Sequence, residues 1–258
     1  MAKSITDFTV IENLQLSDRY HVIELSPRCE CDMTGIRAGQ FVQVQATDSS
    51  GVLLRRPISI HNVDPERNTL TLLVCNVGSG TRSICSVKSG DTLNIIWPLG
   101  NGFSMPENSN AKVLLMGGGV GVAPLLYLGK KLKTIDVKPH FILAARTADA
   151  LLRIETFEQV GSVDIATDDG SRGNKGLITE HPSFAQGWDK VYCCGPMPMM
   201  KAIARACHER GIDCEVSLEN TMACGVGACL CCVEKTTTGN RCVCTDGPVF
   251  NINELNWF

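Results

Sequence analysis

The chain has 258 residues, 44% of them hydrophobic and 20% charged, with a formal net charge of −3. That length accommodates two domains and a small appendage, the composition is that of a soluble globular protein, and the charge offers no attraction for nucleic acid or an anionic membrane surface. No stretch reaches the roughly 20 apolar residues of a membrane span, and Met1-Ala2-Lys3-Ser4-Ile5-Thr6-Asp7 lacks the apolar core of a signal peptide, so the 14 cysteines point to a reducing cytoplasm and thiols kept for metal, not to a disulfide framework.

Residues 1–106 read as all-β. Alternating apolar positions predict strands at Phe8–Leu16, Tyr20–Leu25, Phe41–Ala46, Leu53–Ile60, Leu70–Asn76 and Thr92–Trp97. Turn residues separate them at Ser26-Pro27, Arg37-Ala38-Gly39, Asp48–Gly51, Asp64-Pro65 and Ser89-Gly90-Asp91. Short strands at this spacing make a small antiparallel barrel. Cys29-x-Cys31 lies in a polar loop and reads as a pair of surface thiols.

Two stretches interrupt the barrel pattern. In Arg55-Arg56-Pro57-Ile58-Ser59-Ile60 two arginines enter an apolar strand, and the proline removes a ladder donor, so an open strand edge is expected there. A guanidinium at such an edge can grip a phosphate bidentately; a solvated edge is the bland alternative. In Val77-Gly78-Ser79-Gly80-Thr81-Arg82-Ser83-Ile84 a glycine-rich turn opens a short helical segment, whose exposed N–H groups suit an anion.

From Asn110 strands and helices alternate. Ala111–Met116 runs into Gly117-Gly118-Gly119-Val120-Gly121-Val122-Ala123-Pro124, followed by Leu125, Leu128 and Leu132 at helical spacing. Strands at His140–Ala145, Val163–Thr167, Lys190–Cys194 and Cys214–Leu218 enclose helices at Asp149–Gln159 and Pro198–Arg210. This rhythm means a parallel sheet covered by helices. The glycine loop departs from G-x-G-x-x-G/A, which argues against a standard dinucleotide dehydrogenase. Cys193-Cys194-Gly195-Pro196-Met197-Pro198 ends a strand and starts a helix, which puts Gly195 and Pro196 at the carboxyl edge of the sheet.

The last forty residues carry the densest chemistry. Six cysteines, Cys224, Cys229, Cys231, Cys232, Cys242 and Cys244, fall within 21 residues. Cys224, Cys229 and Cys232 have the C-x4-C-x2-C spacing of plant-type [2Fe-2S] loops. Gly225 and Gly227 let the backbone turn its N–H groups toward sulfur. Either Cys242 or Cys244 must supply the fourth thiolate. A four-thiolate zinc site built from Cys229-x-x-Cys232 and Cys242-x-Cys244 is the rival reading.

Arg56-Pro57-Ile58-Ser59, Gly78-Ser79-Gly80-Thr81, Pro98-Leu99-Gly100-Asn101-Gly102-Phe103, Gly117–Pro124 and Cys194-Gly195-Pro196-Met197 resemble, in order, the motifs of the ferredoxin-NADP reductase family. The tail, Glu219-Asn220-Thr221-Met222-Ala223-Cys224-Gly225-Val226-Gly227-Ala228-Cys229 and Cys244-Thr245-Asp246-Gly247-Pro248-Val249-Phe250, resembles the family of dihydroorotate dehydrogenase B electron-transfer subunits. The resemblance implies an α+β multidomain chain: an antiparallel FAD-binding β-barrel over residues 1–106, an α/β parallel-sheet NAD-binding domain over 107–215 and a small [2Fe-2S] domain over 216–258.

It also implies roles. Arg56 would hold the FAD pyrophosphate, and Pro57, Ile58, Ser59, Leu73, Val74 and Cys75 would line the flavin. Gly80 and Thr81 would donate to its phosphates. Gly117, Gly118, Gly119 and Gly121, with Cys194, Gly195, Pro196 and Met197, would hold NAD. Cys224, Cys229, Cys232 and Cys244 would ligate the cluster, leaving out Cys231 and Cys242. None of the five histidines has a neighbourhood that suits a catalytic role, and His61 reads as a flanking residue. The implied partner is an FMN-containing dihydroorotate dehydrogenase catalytic subunit, two of each forming a heterotetramer. Electrons would pass from FMN through the cluster and FAD to NAD+ in pyrimidine biosynthesis. Two other readings stand beside this one: a subunit of a ferredoxin- or sulfur-linked oxidoreductase, and a zinc-binding module on a reductase scaffold.

Overall fold

The computed structural model describes residues 3–46 and 51–258, so residues 48–50 of the expected Asp48–Gly51 turn lie outside it. Six strands form the N-terminal barrel: β1 (Ser4–Gln15), β2 (Tyr20–Pro27), β3 (Phe41–Val44), β4 (Arg56–Asp64), β5 (Thr69–Cys75) and β6 (Thr92–Leu99). They close in the order β1-β2-β5-β4-β3-β6, every pair antiparallel. Inward residues at period two fill the interior. Phe8 and Trp97, both fully buried, meet edge to face at 4.9 Å, and burying a side chain of that kind contributes about 1.5–3 kcal/mol. A short helix, α1 (Ser79–Cys85), follows β5.

One seam of the barrel is open. The β4–β5 ladder runs from Asp64↔Thr69 to Ile60↔Leu72 and stops. Beyond it β4 pairs with β3 alone, from Ser59 to Arg56, and β5 pairs with β2 alone, through Val74 and Cys75. The open edge expected at Arg56–Ser59 is therefore present on one side only.

The α/β part begins with β7 (Val113–Gly118), α2 (Ala123–Lys133), β8 (Pro139–Ala145), α3 (Ile154–Glu158), β9 (Ser162–Thr167) and a short β10 (Asn174–Lys175). It continues with β11 (Lys190–Cys194), α4 (Met197–Glu209) and β12 (Asp213–Ser217). Leu125, Leu128 and Leu132 are buried on α2, as their spacing predicts, and Met200, Ile203, Ala204 and Cys207 form the buried stripe of α4. The helix expected over Asp149–Gln159 is shorter: a 3₁₀ turn at Ala148–Ala150 precedes α3, and Arg153 between them is left-handed at φ 60°, a conformation that breaks a helix.

After β12 come β13 (Val233–Thr236), β14 (Gly239–Cys242) and β15 (Val249–Asn251). β13 and β14 form a two-stranded ribbon, and β15 joins the large sheet, whose order is β10-β9-β8-β7-β11-β12-β15. β15 runs antiparallel to β12, with Val216 opposite Phe250 and both buried, so the sheet is mixed and mostly parallel.

Two compact units result. The first contains the barrel through Gly102, together with Glu219–Glu234 and Arg241–Pro248; the second contains Phe103–Leu218, Lys235–Asn240 and Val249–Phe258. The cysteine-bearing stretches of the small C-terminal region, Glu219–Glu234 and Arg241–Pro248, thus pack with the barrel. A segment this short cannot bury a core of its own. Asn101 fastens it: its N–H donates to Gly247 O at 2.5 Å, and its Nδ2 donates to Thr245 O and Asp246 O, each at 3.0 Å. No helix of the described residues is long and apolar enough to cross a membrane.

Candidate functional site

Three groups of residues carry the candidate chemistry, two in the first unit and one in the second. The first lies at the open seam. Arg55 is consumed by the barrel wall: Nη1 donates to Asn94 O at 2.8 Å and Nη2 to Asn94 Oδ1 at 2.5 Å. Arg56 instead donates from Nη1 to Leu54 O at 2.7 Å and lies across Gly80 in α1. A Cβ on Gly80 would come within 2.5 Å of Arg56 Nε and 2.8 Å of Nη2, so only glycine lets the guanidinium sit over the first turn of the helix. The seam therefore brings together a half-buried cation and the first N–H groups of a helix, the donor set that a pyrophosphate needs.

Thr81 orders that turn. Its Oγ1 accepts from Val77 N at 2.9 Å and Gly78 N at 3.1 Å, and its hydroxyl is placed to donate to Gly78 O at 3.1 Å. Its hydroxyl is thus engaged with its own loop. Pro57, Ile58 and Ser59 are half-buried along the β4 side of the seam. Across it, the side chains of Leu73 and Val74 are core, and Cys75 is half-buried with its Sγ accepting from Arg19 Nε at 3.3 Å. His61 is fully buried in β4, away from solvent.

The second group is the cysteine loop. Cys224 is half-buried, Cys229 exposed, and Cys232 and Cys244 buried. Burial pushes the Cys224 thiol up, but N–H donors from Val226, Cys229 and Ala228 outweigh it and bring it down to about 6. Cys232 Sγ accepts from Cys244 N at 3.4 Å. Burial and contact with Cys232 hold the Cys244 thiol up at about 12, against the pull of the Gly227 N–H. A thiol so placed ionises against a cation, which an iron centre supplies.

Cys242 is less suited. Burial, then Cys232 and the carboxylate of Asp246, raise its thiol, and its N–H is tied to Asp246 Oδ2 at 2.7 Å. Cys231 is exposed. Among the described residues no three Cys, His, Asp or Glu side chains are set round a common point; the thiols meet pairwise, Cys224 with Cys229 and Cys232 with Cys244 and Cys242. N–H groups aimed at sulfur from Val226 and Gly227 are what thiolates of an iron–sulfur cluster accept, so the residues fit that group.

The third group is at the carboxyl edge of the large sheet. β7 and β11 are neighbours, with Gly117 opposite Cys194. The chain leaves β7 toward β8 on one side and β11 toward β12 on the other. This is a topological switch point, where open α/β sheets bind ligands. Gly121 lies directly against the Cys194–Gly195 backbone: a Cβ there would be 2.5 Å from Cys194 O. The two loops expected to share a dinucleotide are therefore in contact, with Gly117, Gly118, Gly119 and Gly121 on one side and Cys194, Gly195, Pro196 and Met197 on the other.

Sequence reading missed one residue of the cysteine loop's surroundings. Gln43 on β3 is fully buried and packs on Gly225. A polar residue within Phe41-Val42-Gln43-Val44 reads as the solvent side of an alternating strand; here all four are buried.

The model of the iron-sulfur cluster binding domain of dihydroorotate dehydrogenase B matches residues 219–256. The dihydroorotate dehydrogenase B (NAD(+)) electron transfer subunit of Shouchella clausii (strain KSM-K16) is 40% identical over 223 residues, covering 84% of this chain and 85% of its own. That of Clostridium acetobutylicum is 37% identical over 257 residues, 99% of this chain and 98% of its own. Among solved structures, the NADH-dependent reduced ferredoxin-NADP oxidoreductase superposes with a TM-score of 0.85 at 29% identity, over 97% of this chain and 90% of that one. The ferredoxin reductase in carbazole 1,9a-dioxygenase shares the fold, with a TM-score of 0.70 at 21% identity over 82% of this chain and 67% of that one. The barrel, the switch-point loops and the cysteine tail are thus matched together along nearly the whole length, and the chain belongs to the family of dihydroorotate dehydrogenase B (NAD(+)) electron transfer subunits.

Proposed function

We propose that this chain carries electrons from an FMN-containing, dihydroorotate-oxidising partner subunit to NAD+ in pyrimidine biosynthesis, using a [2Fe-2S] cluster and FAD, in a cytoplasmic heterotetramer with two copies of each subunit. NAD exchanges electrons in pairs, an iron–sulfur cluster one at a time, and FAD in either mode, which is the chemistry the three groups supply when bound. The observation that carries the reading is the cysteine loop, with N–H groups turned to its sulfurs, in the same compact unit as the Arg56–Gly80 seam.

In this reading the residues bind and orient. Arg56 neutralises the FAD pyrophosphate, the Ser79–Thr81 turn offers it backbone donors, and Pro57, Ile58 and Ser59 border the flavin with Leu73, Val74 and Cys75 opposite. Cys224, Cys229, Cys232 and Cys244 hold the iron. The Gly117–Gly121 and Cys194–Met197 loops hold the dinucleotide. No acid–base side chain would be needed, because the bound cofactors would supply the redox chemistry and these residues the positioning.

The test is direct. The purified chain should be coloured, contain flavin, iron and sulfide, and reduce a dye with NADH; joined to its catalytic partner it should oxidise dihydroorotate with NAD+. A colourless, zinc-containing chain would refute the reading, since closed-shell zinc is spectroscopically silent. The likeness to the NADH-dependent reduced ferredoxin-NADP oxidoreductase favours a second reading, a subunit of a ferredoxin-linked oxidoreductase. Ferredoxin reduction without dihydroorotate activity would select it.

A further inference from the structure

Gln43 is the most conspicuous polar group of the first unit that the roles above leave unused. Its residue is 0% exposed, and neither Nε2 nor Oε1 has a hydrogen-bond partner among the described residues. A primary amide carries two donor hydrogens and an acceptor oxygen, and buried polar groups in folded proteins are almost always paired. On the main chain Gln43 lies between Pro57 of β4 and Ile96 of β6, and its carbonyl accepts from Arg55 Nη1 at 3.4 Å. Both unpaired atoms belong to the side-chain amide.

That side chain points into the cysteine loop. It packs on Gly225, left-handed at φ +70°, where a Cβ would lie 2.6 Å from Gln43 Cγ and 2.8 Å from Nε2. Gly225 directly follows Cys224, whose Sγ accepts from Val226 N at 3.4 Å. The loop thus lacks a side chain at a position where the amide approaches it.

We propose that Gln43 Nε2 donates a hydrogen bond to a sulfur of the cluster held by the Cys224–Cys232 loop and thereby raises the cluster's reduction potential. The proposal rests on the cluster reading above. A donor to sulfur favours the reduced form, which carries the extra negative charge, so removing it lowers the potential. Gln43 is a positioning and tuning residue here and touches no substrate.

The experiment uses the full chain with its cofactors and compares Gln43→Leu with the native protein. Iron, sulfide and flavin should be unchanged. The cluster's one-electron reduction equilibrium should fall about tenfold, a shift of about 59 mV to more negative potential, read by spectroelectrochemical titration. An unchanged potential with full iron overturns the assignment and leaves the cluster reading intact. Absence of iron and sulfide from the native chain overturns the cluster reading and this proposal with it. Should Gln43→Leu fail to fold or lose its iron, selective ¹⁵N-glutamine labelling of the native protein decides: a ¹⁵N coupling to the spin of the reduced cluster supports the bond, and its absence refutes it.

Discussion

Arg56 lies across Gly80, with the guanidinium Nε 2.5 Å from where a Cβ on the glycine would stand. The two residues, separated by the whole of β5, would together form the phosphate grip proposed for the barrel. Gly80→Ala should displace the guanidinium and release FAD while leaving the iron content of the cysteine loop at the native level. Arg56→Ala removes a charge-assisted contact worth about 1.5–3 kcal/mol, so flavin affinity should fall roughly ten- to a hundredfold or more. Flavin and iron measured on one preparation separate the two sites; stoichiometric FAD at native affinity in Arg56→Ala would remove the phosphate grip from this residue.

Cys244 and Cys242 compete for the fourth ligand position. Cys244 receives the Gly227 N–H and is buried, whereas Cys242 sits beside the Asp246 carboxylate. Cys244→Ser should lose iron and sulfide, as should serine at 224, 229 or 232. Cys242→Ser and Cys231→Ser should keep both. Full cluster in Cys244→Ser with loss in Cys242→Ser reverses the assignment.

Gly225 is constrained twice, by its φ of +70° and by Gln43 at 2.6 Å from a would-be Cβ. The left-handed conformation alone costs a non-glycine residue about 1–2 kcal/mol, and the steric overlap about 1–3 kcal/mol more. Gly225→Ala should therefore bind iron poorly while the barrel still takes up FAD. Native iron content in this variant would show that the loop has room to shift.

The expected nucleotide is NAD, not NADP. Asp168 and Asp169 are exposed after β9, and Asp169 Oδ1 caps its own turn through Ser171 N at 2.9 Å and Ser171 Oγ at 2.6 Å. A carboxylate there would accept from ribose hydroxyls and repel a 2′-phosphate. Dye reduction should run well with NADH and poorly with NADPH; equal rates would contradict this.

Lys190 bridges two acids in the second unit, Asp213 Oδ2 at 2.6 Å and Glu215 Oε1 at 3.2 Å, with Lys190 and Glu215 each 10% exposed at the side chain. Glu215 also accepts from Ser104 N at 2.9 Å. Lys190→Met leaves that carboxylate buried without its cation, a change that costs about 3–5 kcal/mol. Urea unfolding should report a loss of that size, with flavin and iron retained at low denaturant. A loss under 1 kcal/mol would mean that water reaches Glu215.

Much of the barrel was legible because its strands alternate and its turns are punctuated by Gly, Pro, Asn and Asp. The strands expected at Tyr20, Phe41 and Thr92 begin at those residues in the structure. The break within the helix expected over Asp149–Gln159 was not legible, because a left-handed Arg153 carries no composition signal. Nor was β15: its three residues join the sheet only through pairing with β12.

The order of the motifs and the C-x4-C-x2-C spacing already determined the family and the candidate ligands, since both are properties of distance along the chain. Three things had to wait for the tertiary structure. The seam between β4 and β5 depends on where a ladder ends, the separation of Arg55 from Arg56 on what each guanidinium finds nearby, and the place of Gln43 on both faces of β3 being covered. Each is a contact between residues far apart in sequence. Periodicity and propensity describe a residue's own neighbours along the chain; they carry no information about which distant backbone arrives to bury it or leaves its polar atoms unpaired.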